Sequence, residues 1–167
     1  MMASIDNNEV KYDDGYWHLQ AAVDAGQPED NALTHIACVV YWAIARDGFR
    51  QHDMEDAGES ACVADIKARQ VLPTVLLDQY MDLKLWSKDF TDQVAEFLNG
   101  YIDSYYPSDY EALFGKGLYH VPNTWETYDK VAAALDARFA QWQADGRFSK
   151  HLPGAEPSRK RFGLFGR

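Results

Sequence analysis

Residues 32–45, ALTHIACVVYWAIA, carry only Thr34 and His35 as polar interruptions, the pattern of a helix buried on nearly all sides. Leu33, Ile36, Val40 and Ala43 fall on one stripe and His35, Val39, Trp42 and Arg46 on another. Two separate sets of neighbours must therefore cover it. A bilayer span needs about 20 residues, so the run is too short to cross a membrane. Acids ahead of it (Glu29, Asp30) and Arg46 behind it suit the two ends of a soluble helix. Gly48 is placed to close it as a left-handed cap.

The other segments group around this one. Asp13-Asp14-Gly15 forms a turn between aromatic-rich flanks, either a short hairpin or an irregular aromatic clasp. Residues 51–59 lack apolar periodicity and read as an acidic loop, after which Ser60 caps a helix running through Gln70. Leu76, Leu77, Tyr80 and Met81 mark a short helix, and Leu83, Leu85 and Trp86 an apolar connector. From Ser87 the spacing of Phe90, Val94, Phe97, Tyr101 and Tyr105 predicts one longer helix ended by Pro107. Ser108 and Glu111 fit a capping box for a short helix that Gly115 closes. Gly117 to Val121 looks extended. Trp125, Tyr128, Val131, Leu135, Phe139 and Trp142 make the clearest amphipathic stripe, capped near Thr124 and closed by Gly146. The expected fold is mainly α: a single compact multi-helix domain over residues 10–146 around a buried central helix. A small N-terminal hairpin is possible within it, flanked by a disordered residue 1–9 segment and a flexible basic tail at 147–167.

Charge sharpens this picture. The chain of 167 residues has a net charge of −10. Six Lys or Arg against Glu156 give residues 147–167 a charge of +5, which leaves −15 on residues 1–146. Such an acidic body argues against nucleic acid as a ligand and favours basic partners. Residues 1–9 hold no apolar run of signal-peptide length, and Cys38 and Cys62 lack paired-ligand spacing. A cytoplasmic protein with reduced thiols is the expectation.

No Walker loop, dinucleotide glycine fingerprint, nucleophile elbow or His-Glu-x-x-His pair occurs. Asp13, Asp14 and His18, joined by His35 or His120, offer oxygen and nitrogen ligands for a divalent ion. Their spacing is looser than most zinc sites. The favoured reading is that Asp13 and Asp14 organise the turn, Trp17 packs, His18 makes a hydrogen bond and His35 is a satisfied core residue. No metal and no cofactor are expected. Asp53, Glu55, Asp56 and Glu59 are the densest acidic run and read as a docking surface for a basic partner. Asp13, Asp14, Trp17 and His18 form the second candidate contact.

The segments YDDGYWH, THIACVVYWAI, LLDQYMDLKL and LYHVPNTWETYDKV, in that order, resemble an uncharacterised bacterial family. Its members open on Tyr-Asp-Asp followed by Trp-His and carry a Thr-His-Ile helix and a late Tyr-His-Val before a Trp-led helix. The resemblance spans about residues 10–145. The chain departs from the pattern at residues 80–84, Tyr-Met-Asp-Leu-Lys, where Cys-Asp-Gly-Lys is expected. The resemblance implies no catalytic residues. It implies a likeness to small acidic cytoplasmic immunity proteins, so the expected function is a non-enzymatic antitoxin that neutralises a bacterial toxin by occlusion. The alternatives are a small metal-dependent enzyme using Asp13, Asp14 and His18, or a housekeeping interaction protein using the basic tail.

Overall fold

The computed structural model describes residues 9–50 and 56–154. Strand β1 (Lys11–Asp14) leads directly into α1 (Gly15–Asp24). After a 3-10 turn at Glu29–Asn31 come α2 (Thr34–Ala45), α3 (Ala57–Lys67) and α4 (Pro73–Tyr80). Strand β2 (Lys84–Trp86) and a 3-10 turn at Ser87–Asp89 precede α5 (Asp92–Tyr101), α6 (Tyr106–Phe114) and the long α7 (Trp125–Asp145). The fold is thus mainly helical. Its two-stranded antiparallel ribbon sits at the N-terminal end, with the second strand supplied by the apolar connector at Leu85 and Trp86. No helix among the described residues is long and apolar enough to cross a membrane.

α2 is the axis of the packing. Every residue of it except Tyr41 and Ala45 is buried, and α7, α4 and α3 all lie against it, as two apolar stripes require. Trp42 sits between Phe97 of α5 (5.4 Å between ring centres) and Phe139 of α7 (5.7 Å). Its indole N–H donates to Asp136 Oδ1 at 2.8 Å, so the largest core side chain leaves no polar atom unpaired. The predicted α7 stripe is inward at Tyr128, Val131, Leu135 and Phe139, and Gly146 ends it in the left-handed conformation at φ 68°.

Several boundaries differ from the sequence expectation. Gly48 does not adopt the left-handed conformation; Asp47 does, at φ 57°. Gly48 is needed instead for space, because a Cβ there would lie 2.7 Å from Val94 Cγ2. α3 begins at Ala57, and its cap is not Ser60 but Asp56, four residues earlier, whose Oδ1 accepts from the Gly58 and Glu59 amides at 2.9 and 3.1 Å. The expected helix from Ser87 to Tyr105 is interrupted: Phe90 and Thr91 are extended, and α5 begins only at Asp92. Pro107 then opens α6 rather than ending its predecessor, since the first helical turn has no use for the amide that proline lacks. Ser108 therefore lies inside α6 and is not its cap. Residues 117–121 form turns, not a strand. The packed chain also continues past Gly146: Leu152 is buried, and Phe148 packs tilted against Tyr105 at 4.9 Å between ring centres.

Candidate functional site

The ribbon and α1 place the site. Asp14 caps α1, its Oδ1 accepting from the Tyr16 amide at 3.1 Å while Oδ2 pairs with Lys11 Nζ at 3.0 Å. Gly15 follows with its amide donating to the Leu83 carbonyl at 2.7 Å. A Cβ on Gly15 would come within 2.8 Å of that same oxygen and 2.7 Å of Leu33 Cδ2, so only glycine lets the helix start this close to the chain leading into β2. The strand register slips between Lys11 and Asp13, a bulge that bends the strand and re-aims its side chains. Tyr12 goes inward, with its hydroxyl donating to Asn99 Oδ1 at 2.6 Å. Asp13 points to the other face.

There Asp13 meets two histidines from different helices. His18 Nε2 lies 2.6 Å from Asp13 Oδ1, and His35 Nε2 lies 3.4 Å from Asp13 Oδ2. The two Nε2 atoms are 3.4 Å apart, with the rings edge to face at 4.4 Å. Tyr119, in the loop after α6, places its hydroxyl 2.6 Å from His18 Nδ1, and Asn31 holds that loop by donating to the Tyr119 carbonyl at 3.2 Å. Tyr106 fixes the other side by donating its hydroxyl to the His35 carbonyl at 2.5 Å. The side chains are graded in depth: His35 is 5% exposed, His18 17% and Asp13 26%.

The protons of this cluster follow from the partners. Burial alone would raise the Asp13 carboxyl, but hydrogen bonds from His18 and His35 outweigh it and hold Asp13 well below the usual carboxylate range. Burial pushes His35 below the usual histidine value, although the Asp13 carboxylate pulls the other way. His18 Nε2 and Asp13 Oδ1 share a hydrogen bond, His35 Nε2 lies 3.4 Å from both His18 Nε2 and Asp13 Oδ2, and the Tyr119 hydroxyl bonds His18 Nδ1 on the far side of the ring. His35 Nδ1 is left buried without a hydrogen-bond partner in the protein. Among the described residues, Asp13, His18 and His35 form a group whose ligand atoms all lie within 4.8 Å of one another.

The structure sorts the sequence candidates. Asp13 and His18 belong to the cluster. Asp14 does not, because its carboxylate is used as the α1 cap. His120 is also elsewhere, its Nε2 at 2.8 Å from the Phe114 carbonyl. His35 proves to be a member and not a satisfied core residue, and Tyr119 was not anticipated at all. Of the acidic run, Asp53 and Glu55 lie outside the described residues. Glu59 is 2% exposed and buried in α3, which removes it from any docking surface, and Asp56 is occupied as the α3 cap.

The outer face of α1 is the opposite of its inner one. Trp17 is 66% exposed, Tyr16 53% and Val23 55%, so Trp17 does not pack as expected. With Val10 these are the exposed large apolar side chains among the described residues. Lys11 Nζ lies 4.8 Å over the Trp17 ring, and the Tyr16 hydroxyl donates to Asp82 Oδ1 at 3.0 Å. Polar groups thus rim an aromatic patch.

The chain belongs to a family described as a domain of unknown function, DUF7832, whose model matches residues 11–121. That span contains Asp13, His18, His35 and Tyr119 and stops before α7. No curated protein and no solved structure matches the chain.

Proposed function

We propose that this member of the DUF7832 family is a protein-binding module whose contact surface is the outer face of α1. The observation that supports this is the solvent exposure of Tyr16, Trp17 and Val23 on α1, with Val10 exposed just ahead of β1. A rigid Trp and Tyr on a helix, ringed by polar groups, are the residue types that anchor protein interfaces. They cost solubility while uncovered. The net charge of −10 favours a basic partner and speeds its capture at low salt. Occlusion of a basic toxin domain, as an immunity protein performs it, is the form of binding that fits an acidic surface with an aromatic anchor.

The experiment is a pair of affinity measurements against a purified partner, with wild type and a Tyr16→Ala, Trp17→Ala double variant. Both side chains are exposed, so the variant folds as wild type does. Loss of two central aromatic anchors weakens Kd about 30–1,000-fold, the equivalent of about 2–4 kcal/mol. A variant that binds with wild-type affinity places the interface on another face.

A further inference from the structure

The inner face of α1 carries a different property. Three side chains from three elements, β1, α1 and α2, direct two imidazole nitrogens and a carboxylate at one point. The two Nε2 atoms face each other at 3.4 Å, with the Asp13 carboxylate in reach of both. It is also the spacing that a shared metal ion imposes. For a tetrahedral ion with bonds of about 2.0–2.1 Å, neighbouring ligand atoms lie about 3.3–3.4 Å apart. His18 Nε2 to His35 Nε2 and His35 Nε2 to Asp13 Oδ2 are each 3.4 Å. His18 Nε2 meets the other carboxylate oxygen, Asp13 Oδ1, at 2.6 Å, a direct hydrogen bond. That contact lengthens when the ring proton moves to Nδ1 and an ion takes its place at Nε2.

We propose that Asp13, His18 and His35 bind one divalent first-row transition ion of the zinc class, through His18 Nε2, His35 Nε2 and the Asp13 carboxylate. Two neutral imidazoles and one carboxylate suit zinc, cobalt and related ions, and do not suit magnesium or calcium, which take oxygen sets. Independent features of the surroundings favour a ligand here. His18 has an outer partner: with the ion on Nε2 the ring proton sits on Nδ1 and is donated to the Tyr119 hydroxyl oxygen 2.6 Å away, which sets the ring's orientation. The lysine on the same strand, Lys11, pairs with Asp14 and leaves Asp13 without an ammonium partner. Buried His35 has an Nδ1 atom free of protein partners, so the ring proton can reside there and release the Nε2 lone pair to an ion. The partly exposed edge at Asp13 and His18 leaves the fourth position to water or an incoming ligand. The ion joins the N-terminal strand, α1 and α2, and so fixes the base of the helix whose outer face carries Trp17. This site stands whether or not that face binds a partner.

The test uses the full chain, stripped with chelator and dialysed, titrated with Zn²⁺ and separately with Co²⁺. One equivalent of either binds, and Co²⁺ gives the intense visible bands of a four-coordinate site. Zinc at about a hundredfold excess over its Kd raises the melting temperature by about 5–10 °C. Asp13→Asn and His18→Gln, both at partly exposed positions, abolish the cobalt bands, with far-ultraviolet dichroism reporting that each variant is folded. Tyr119→Phe keeps the one-to-one stoichiometry and weakens zinc about tenfold or more, whereas His120→Ala changes nothing. Absence of a stoichiometric ion in wild type overturns the proposal. So does binding that survives in the Asp13→Asn, His18→Gln double variant, which marks adventitious binding elsewhere.

Discussion

Arg138 and Asp109 form a two-pronged ion pair sealed from water, with Nε to Oδ2 at 2.7 Å and Nη2 to Oδ1 at 2.9 Å. Their side chains are 0% and 5% exposed. Asp109 also accepts from the Tyr101 hydroxyl at 2.7 Å, and Arg138 Nη1 donates to the Ser149 carbonyl at 2.8 Å. One guanidinium thus ties α5, α6, α7 and the segment after Gly146 together. Arg138→Met strands a buried carboxylate and costs about 3–5 kcal/mol in urea unfolding, whereas the double change Arg138→Met, Asp109→Leu recovers much of that loss. If the single and double variants are equally unstable, the pair does not behave as a coupled unit.

The same residue sets where the domain ends. Residues 147–154 supply the Ser149 carbonyl to Arg138, Phe148 against Tyr101 and Tyr105, and buried Leu152. A chain stopped after Gly146 loses about 2–4 kcal/mol from exposed apolar surface and an unsatisfied Arg138 donor. A chain stopped after Gly154 keeps the wild-type denaturation midpoint. Equal midpoints for both truncations restore the earlier boundary.

Five of the ten tyrosines, Tyr12, Tyr101, Tyr106, Tyr110 and Tyr128, have hydroxyls pushed well above the ordinary value of 10, chiefly by burial. At Tyr101 the Asp109 charge adds to it. A raised folded-state value means their contribution to stability is complete below pH 10 and is lost as pH rises beyond it, because the unfolded chain ionises first. Phenolate absorbance therefore rises in two stages, the second coincident with loss of helical dichroism. A single smooth titration before unfolding contradicts this.

The sequence made the two longest apolar patterns legible. α2 and α7 repeat a helical period over many residues, and no local signal competes with it. The junctions were less legible because the same residue type serves opposite roles: Pro107 ends or begins a helix depending on what precedes it, and Asp56 or Ser60 can each cap α3. Arg138 shows the limit for the core. It stands on the buried face of an amphipathic helix, where pattern reading expects an apolar side chain, and its partner Asp109 lies one element away. The candidate site was half visible. Asp13 and His18 flank one turn and drew notice as neighbours in sequence, but His35 sits in an apolar run where a histidine is ordinarily a satisfied core residue. Tyr119 reaches the cluster only through the loop after α6. Nothing in local spacing relates it to His18.

The pairing of β1 with β2 bears on how the protein is made. In a nascent chain residues 11–14 emerge well before their strand partner, residues 84–86, which leaves the ribosome only after some seventy further residues. At typical elongation rates that is roughly 4–15 s of synthesis. During that interval Tyr12 has no core to enter and Asp13 no fixed direction, while α2 can already form from local contacts. The Asp13 cluster is therefore among the last parts to assemble, completed only when Tyr119 has been translated. Substitutions that weaken β2 should lower the yield of correctly paired β1 during expression even where the purified protein proves stable.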